Sequence, residues 1–313
     1  MTGLLADPIS REHLRGRAHP ERTERFDAVV SALQDLSLTP IASRAATEDE
    51  LLLCHTREYL DTARRDIESG QPYLSTGDTE ITPKSWDVAV HAVGGVLQTV
   101  DAVIGGHVAN AFCAVRPPGH HAGTGRGMGF CIFNNIAIAA RYAQRRHGLE
   151  RVLIVDWDVH HGNGTQEIFY SDASVMFFST HQWPLYPGTG RADETGVGNI
   201  MNFPLPAGSG RAEILGAVET RLIPAALEFH PELVLISAGF DSRLGDLLGR
   251  FTLSDKDFAD LTRMLLPFAG GRIVSVLEGG YNLAGLASAA RAHVAALMHG
   301  SVEFAFGQSH VNT

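Results

Sequence analysis

Acids and histidines that could do chemistry stand directly after an apolar run of the sequence. The stretch VLIVDWDVHHGNG begins at residue 152 and contains Asp156, Asp158, His160 and His161. Asp158 and His160 are two residues apart, so in an extended segment their side chains point the same way and can reach one ion. Carboxylates and imidazoles are both ligands for divalent cations. The spacing therefore predicts part of a metal site.

A third ligand can come from Asp241, which follows the apolar run LVLIS at residue 233. Two oxygens and one nitrogen suit Zn²⁺ with one position left open for water. Fe²⁺, Co²⁺ and Mn²⁺ accept such ligands too and remain open. Taken alone, Asp241 would be an ordinary surface acid. It joins the site only if the two apolar runs end side by side.

The segment GHHAG at residue 119 adds groups that could move protons. His120 and His121 are adjacent, and in an irregular loop both rings can border one small pocket. Histidine is the usual proton-transfer group near neutral pH. A carboxylate or amide must hold each ring in one tautomer, and Asp156 and Asn163 are available. Tyr281, in EGGYNL, could donate a hydrogen bond to a developing oxyanion.

Apolar runs and helical periodicity indicate which elements must position these residues. Short apolar runs predict strands at AFCAV (111), VLIVD (152), VMFF (175), LVLIS (233) and IVSVL (273). Helical spacing lies between or beyond them at 85–104, 132–147, 211–229, 255–268 and 283–297. Uniformly hydrophobic strands that alternate with helices favour a parallel sheet covered on both faces. We predict one α/β domain over residues 1–313, with its functional groups at the carboxyl edge of the sheet.

Composition narrows the class of protein. A chain of 313 residues with 44% hydrophobic content can bury a sizeable core. The cysteines, Cys54, Cys113 and Cys131, are odd in number and widely spaced, which predicts reduced core residues.

Charge and hydropathy bear on partners and location. A formal charge of −10 disfavours non-specific attraction to nucleic acid. No apolar run approaches the roughly 18 residues of a membrane span, and the N-terminus lacks the pattern of a signal peptide. We expect a cytoplasmic protein without a nucleic-acid or membrane partner. Homo-oligomerisation is left open.

Taken together, the motifs resemble the histone deacetylase superfamily. The chain is most similar to class II-type deacetylases and bacterial histone-deacetylase-like amidohydrolases. The similar stretches span nearly the whole chain: HPERTERF (19), TPKSWDVAVHAVGG (82), RPPGHHA (116), GMGFCIFNN (127), DWDVHHGNGTQEIFY (156), YPGTG (186), SAGFDSRLGD (237) and LEGGYNL (277). The resemblance implies an arginase-like α/β fold with a mainly parallel sheet between helices.

The resemblance also implies roles for individual residues. The zinc ligands would be Asp158, His160 and Asp241. His120 and His121 would transfer protons, with Asp156 behind His120 and Asn163 behind His121. Tyr281 would polarise the substrate carbonyl. A structural potassium ion is implied on main-chain oxygens of Asp156, Asp158, His160 and Thr180 and on the hydroxyl of Ser179.

A narrow tunnel for an acyl-lysine side chain is a further implication. Phe130 and Tyr186 match its aromatic walls, and Gly129 matches a residue that offers a backbone group there. Without the resemblance, Phe130 would be taken for a core residue. An apolar sleeve favours a neutral acyl amide over a charged amine. The loops expected to shape the entrance are 10–25, 68–80 and 183–199.

The implied activity is that of a zinc-dependent deacylase, which hydrolyses acetyl-lysine-type amides to free amine and carboxylate with metal-activated water. Leu248, seven residues after Asp241, stands where the polyamine-specific member of the family has an acid, and an apolar residue there disfavours polyamines. The alternatives are an amidohydrolase of acetylpolyamines or other small amides, and a non-catalytic module that binds acylated ligands. An arginase-type two-manganese hydrolase would need additional metal-binding acids.

Overall fold

All strands in the described part of the chain belong to one parallel sheet. A computed structural model describes the backbone of residues 1–307 and the side chains of residues 1–299. Within these residues the strands are β1 Thr2–Leu5, β2 Thr39–Ile41, β3 Asn110–Cys113, β4 Val152–Asp156, β5 Val175–Gln182, β6 Ile200–Leu205, β7 Leu233–Ala238 and β8 Ile273–Leu277. Their order is β2-β1-β3-β8-β7-β4-β5-β6, and every neighbouring pair is parallel.

Helices cover both faces of this sheet. They are α1 Glu24–Leu33, α2 Glu48–Leu51, α3 Arg57–Glu68, α4 Ser85–Ile104, α5 Asn135–His147, α6 Asn163–Phe169, α7 Arg211–Ala217, α8 Ile223–Phe229, α9 Asp255–Leu265 and α10 Leu283–Gly307. Short 3₁₀ segments span Pro8–Arg11 and Phe268–Gly271, and a π-helical turn, Val218–Leu222, joins α7 to α8.

Strand β4 shows why the central strands are hydrophobic throughout. Val152 and Ile154 pack into the hydrophobic cluster on one face of the sheet, whereas Leu153 and Val155 pack into the cluster on the other. Successive side chains of a strand point to opposite faces, so a strand covered on both sides needs apolar residues at every position. Each such side chain contributes about 1.5–3 kcal/mol when it is fully buried.

Helix α4 lies in the core although it is long and apolar. Its 20 residues satisfy the length and hydropathy of a membrane span, but 67% of its most apolar window is buried inside the fold. A helix that is apolar on most of its circumference and is covered by its own protein is typical of a globular core. The sequence contains no continuous apolar run of that length.

The strands that the sequence did not predict are short or contain a residue that disfavours strands, and helices α1 and α3 were not predicted either. Strands β1 and β2 have four and three residues, and β6 contains Pro204, which is tolerated because β6 is an edge strand. The predicted helix 211–229 is divided by the π-helical turn. Helix α5 begins only at residue 135, where Asn134 caps it by accepting a hydrogen bond from Ala137 N.

Helix α9 is shorter than predicted at its carboxyl end. It stops at Leu265 rather than residue 268, because Pro267 follows and cannot continue a helix. The three cysteines are free and buried, as predicted. The single-domain prediction over residues 1–313 includes residues 308–313, which lie outside the described residues.

Candidate metal centre

Two neighbouring strands, β4 and β7, deliver the candidate ligands to one edge of the sheet. Strands β8, β7 and β4 are adjacent, and the loops that follow β4 and β7 carry Asp158, His160 and Asp241. The ligand atoms of these three side chains all lie within 4.8 Å of one another. His160 Nδ1 is 3.0 Å from Asp158 Oδ1 and 3.2 Å from Asp241 Oδ2. All three residues are buried.

One carboxylate oxygen of this group is left without a donor. Asp241 Oδ1 accepts a hydrogen bond of 2.8 Å from Val159 N, but the buried Oδ2 accepts none from the described residues. His160 Nδ1 lies 3.2 Å from this Oδ2 but is hydrogen-bonded to Asp158 Oδ1 instead. Burial and the charge of Asp158 raise the pKa of Asp241 to about 7. A buried acceptor without a partner is costly, as are two buried carboxylates side by side. A divalent cation among these ligand atoms relieves both costs, so the residues fit a metal.

Glycines make room for the ligand carboxylates. A Cβ atom at Gly279 would overlap Asp241 Oδ2, and one at Gly239 would overlap Asp158 Oδ2. Gly279 N also donates to Asp158 Oδ2 over 2.8 Å. Only glycine permits so close a backbone approach. Sequence reasoning did not single out these two glycines, although they stand in the stretches SAGFD and EGGY, which carry predicted site residues.

The tandem histidines are each held by a different partner. His120 Nδ1 lies 2.9 Å from Asp156 Oδ2, and His121 Nδ1 lies 2.7 Å from Asn163 Oδ1. Because both partner atoms are acceptors, each ring carries a proton on Nδ1 and directs Nε2 away from its partner. The two ring centroids are 4.0 Å apart. His120 Nε2 is 3.9 Å from Asp158 Oδ1, and the His121 and His160 ring centroids are 5.9 Å apart, so both rings lie beside the candidate ligands.

The protonation of these two rings is biased in opposite directions. Burial disfavours the charged form of His120, but Asp156, Asp158 and Glu278 outweigh burial and raise its pKa well above the usual value. Burial lowers the pKa of His121 well below the usual value, and the neighbouring His120 adds to this shift. Neighbouring groups whose pKa values are pushed apart are typical of an acid and a base at one site.

A cavity of about 300 Å³ opens above the ligands. Its lining consists of Asp78, His121, Gly129, Phe130, His160, Leu185, Tyr186, Leu248 and Tyr281. All four residues predicted to bind substrate are in this lining. Phe130 has a φ of +68°, which is uncommon for a residue other than glycine and often marks a functional site. It is part of the pocket wall rather than of the core.

Tyr281 lies on the wall of this cavity and is nearly fully buried. Its ring is 6.0 Å from that of Phe130, and the Arg25 guanidinium lies 5.1 Å from its centroid. Arg25 Nε also donates to Gly280 O over 2.6 Å. Burial, together with the charge of Asp241, raises the pKa of Tyr281 well above its usual value. The phenol therefore stays protonated and can donate a hydrogen bond.

Asp78 and Leu185 are pocket residues that sequence reasoning did not single out. Asp78 Oδ1 accepts hydrogen bonds from Gly129 N at 2.7 Å and from the Tyr186 hydroxyl at 3.3 Å, so it ties two walls together. Both residues lie in loops that were expected to shape the entrance. No signal distinguished Asp78, because an acid in a turn is ordinarily solvated.

The residues predicted to hold potassium lie at and just after the carboxyl end of β4 and within β5. Asp156 and Ser179 are paired in the register of these strands, and Ser179 and Thr180 are buried. Ser179 Oγ lies 2.9 Å from His181 Nδ1. The structure thus brings these residues next to the candidate metal centre, and the potassium site itself stays a prediction.

Comparison with known proteins identifies the family to which this chain belongs. The histone deacetylase domain family matches residues 19–297. The chain belongs to the histone deacetylase superfamily. It is 42% identical over 287 residues to Polyamine deacetylase HDAC10 of Homo sapiens, an alignment that covers 85% of this chain and 43% of that protein. It is 38% identical over 302 residues to a Probable deacetylase of Archaeoglobus fulgidus, with 91% and 82% covered.

A solved structure in the same superfamily supports the fold. The HDA15 HD domain superimposes with a TM-score of 0.90 at 37% identity, covering 97% of this chain and 94% of that one. Together with the parallel sheet between helices, this similarity confirms the predicted deacetylase-like α/β fold. The chain spans less than half, 43%, of the human relative's length.

Proposed function

We propose that this chain is a zinc-dependent amidohydrolase that removes acyl groups from lysine-type amides. The observation that carries the proposal is the buried group Asp158, His160 and Asp241 beside His120 and His121, at the base of an apolar-walled cavity. Membership of the superfamily and relatives that are named deacetylases support it.

The three candidate ligands would hold the zinc ion. When bound, zinc would supply Lewis-acid chemistry, polarising the amide carbonyl and lowering the pKa of water. The backbone N–H groups of Val159 and Gly279 hold the ligand carboxylates in place. We also propose the potassium site implied by the family resemblance, formed by residues at and just after the end of β4 and by Ser179 and Thr180 within β5.

The pocket walls suit the aliphatic stem of an acyl-lysine. Phe130 and Tyr186 line the cavity with their rings, and Leu185 and Leu248 add apolar surface. Such walls exclude water and favour a neutral acyl amide over a charged amine. The left-handed backbone at Gly129 and Phe130 sets the direction of one wall. The reacting amide would thereby reach the base of the pocket.

Proton transfer would be shared between the two histidines. His121, neutral because of burial, takes a proton from the attacking water at Nε2, and His120 gives one to the departing amine nitrogen. Asp156 and Asn163 keep the rings oriented throughout. Such transfer typically contributes on the order of 10²–10⁴ in rate. The Tyr281 hydroxyl donates to the carbonyl oxygen as negative charge develops there. One water is consumed, and a carboxylate and an amine are released.

A second candidate activity is the hydrolysis of acetylated polyamines. Two observations favour it: relatives at 41–42% identity are named polyamine deacetylases, and the Asp78 carboxylate at the pocket rim could attract a distal ammonium group. The apolar side chain of Leu248 in the pocket wall disfavours it. We therefore place acyl-lysine first.

A comparison of substrates with metal-replete enzyme tests both activities. We expect turnover of acetyl-lysine peptides to exceed that of N-acetylspermidine, to vanish with a chelator and to return when zinc is added. The His121→Ala variant is the control for contaminating activity. A preference for N-acetylspermidine would overturn the first assignment. Binding of acylated ligands without any turnover would instead indicate a non-catalytic module.

A further inference from the structure

The carboxylate of Asp246 bonds to two walls of the pocket at once. Its Oδ2 accepts hydrogen bonds from Tyr281 N at 2.7 Å and from Asn282 N at 3.0 Å. Its Oδ1 accepts one from Leu248 N at 2.9 Å. Asp246 itself does not line the cavity, and its hydrogen bonds to the pocket residues Tyr281 and Leu248 go to their backbone amides.

The segment that carries Tyr281 needs such outside support. Gly280, directly before Tyr281, has a φ of +120°, and glycine restrains its own backbone less than any other residue. Asn282 Nδ2 donates to Gly245 O over 2.9 Å, so the bonds between the two loops run in both directions. Arg25 Nε donates a further hydrogen bond to Gly280 O. The direction of the phenol therefore depends on bonds from neighbouring segments.

We propose that Asp246 is a positioning residue for the reaction, which fixes the phenol of Tyr281 and the pocket wall at Leu248 relative to each other. This inference rests on the proposed function. Hydrogen bonds to a carboxylate are roughly twice as strong as neutral ones, and three of them meet on this side chain. A shift of about 1 Å in a group that acts on the reacting atoms can cost on the order of 10²-fold in rate.

A double-mutant cycle with Tyr281 separates positioning from simple stabilisation. Tyr281→Phe alone should lower kcat by about 10²–10³-fold, as loss of an oxyanion donor does. Asp246→Ala alone should lower kcat by about 10–100-fold, the usual effect of losing a group that orients an active residue. In the Tyr281→Phe background, Asp246→Ala should change kcat by less than about 3-fold, because the hydroxyl that it positions is gone.

The part of the proposal that concerns Leu248 predicts a different kinetic effect, on KM rather than on kcat. Displacement of the pocket wall weakens substrate binding whether or not the phenol is present. Asp246→Ala should therefore raise KM for an acetyl-lysine peptide by a similar factor in the wild-type and Tyr281→Phe backgrounds. A KM that does not change in either background would contradict this part of the proposal.

Asp172 provides a matched control variant. Its Oδ1 accepts a hydrogen bond from Ser174 N at 2.9 Å, the same local pattern as Asp246 with Leu248. It precedes β5 and so lies at the edge of the sheet opposite to the candidate metal centre. Asp172→Ala should leave kcat and KM unchanged. If the Asp246→Ala protein does not fold, the same cycle is run with Asp246→Asn, which keeps one acceptor oxygen.

Amide hydrogen exchange supplies a measurement that needs no substrate. The amides of Tyr281 and Asn282 should exchange faster in Asp246→Ala than in the wild type or in Asp172→Ala. The proposal is overturned if exchange there is unchanged, or if Asp246→Ala lowers kcat by the same factor in both backgrounds. Failure of the proposed function looks different: the metal-replete wild type would then be inactive, or Tyr281→Phe fully active.

Discussion

Two buried polar clusters of this protein differ in how the charge of their carboxylates is balanced. One is the candidate metal centre. The other, here called the arginine cluster, consists of His13, Glu21, Arg25 and Arg116, all 0% exposed. Glu21 Oε1 accepts from Arg25 Nη1 at 2.9 Å and from Arg116 Nε at 2.5 Å, and Oε2 accepts from Arg116 Nη2 at 2.8 Å. Both oxygens of this carboxylate are satisfied by cations of the chain itself.

The pKa values of the carboxyl groups reflect this difference. Burial alone would raise the pKa of Glu21, but Arg116 and Arg25 outweigh it and lower the pKa to about 2. In the candidate metal centre, burial and Asp158 raise the pKa of Asp241 to about 7. A carboxylate saturated by arginines serves the fold, whereas one with a buried oxygen that accepts no hydrogen bond is suited to an added cation.

The largest effect is expected from Asp241→Asn. The amide is a weaker ligand than the carboxylate, so the amount of bound zinc should fall severalfold. Losing a residue that only orients a metal ligand already lowers activity by about 10–100-fold. Turnover should therefore drop by more than about 100-fold when a ligand itself is changed. Without metal, the variant should be at least as stable as the wild type, because a repelled buried carboxylate has been removed. Metal analysis and chemical denaturation with a chelator check both outcomes.

Glu21→Gln makes the same chemical change in the arginine cluster and should act on stability instead. It leaves two buried guanidinium groups without their carboxylate, so the free energy of unfolding should decrease by about 3–5 kcal/mol. Denaturation of the metal-free protein, compared side by side with Asp241→Asn, gives the measurement. Equal losses of stability in the two variants would abolish the distinction between the clusters.

A smaller effect is expected from the pH dependence of the arginine cluster. Burial lowers the pKa of His13 from 6.5 to about 4, so the unfolded chain binds its proton first as the pH falls. Stability attributable to His13 is complete above pH 6.5 and should decline by at most about 1.4 kcal/mol per pH unit until about pH 4. Glu21 adds a loss between its ordinary value of 4.5 and about pH 2.

The His13→Gln variant isolates the first of these windows. Gln does not titrate, so the decline in unfolding free energy between pH 6.5 and 4 should be shallower by the contribution of one histidine. Urea denaturation at several pH values measures the slope. An unchanged slope would show that other groups govern acid stability in this range.

The sequence alone predicted those site residues that stand close together in short motifs after strands. Asp158 and His160 could be paired by their spacing, and the sheet topology then supplied Asp241. Residues whose partners are remote in the chain could not be found in this way. Asp246 contacts Tyr281 across 35 positions, and Glu21 contacts Arg116 across 95. Such pairs are set by tertiary packing, which leaves no local pattern in the sequence.

The same limit applies to the fold. The central strands, such as β4, were predicted because burial on both faces demands an uninterrupted apolar run. The short strands β1 and β2 and the edge strand β6 lack that run, so pairing with neighbours rather than local composition determines them. The π-helical turn Val218–Leu222 likewise leaves the helical periodicity of residues 211–229 nearly intact.

Anomalous diffraction at the zinc edge, on crystals of protein supplied with zinc, shows whether a zinc ion binds at the candidate metal centre. We expect one strong peak in contact with the side chains of Asp158, His160 and Asp241. A map without a peak at these residues, and with the Asp241 carboxylate turned away from His160, would contradict this expectation.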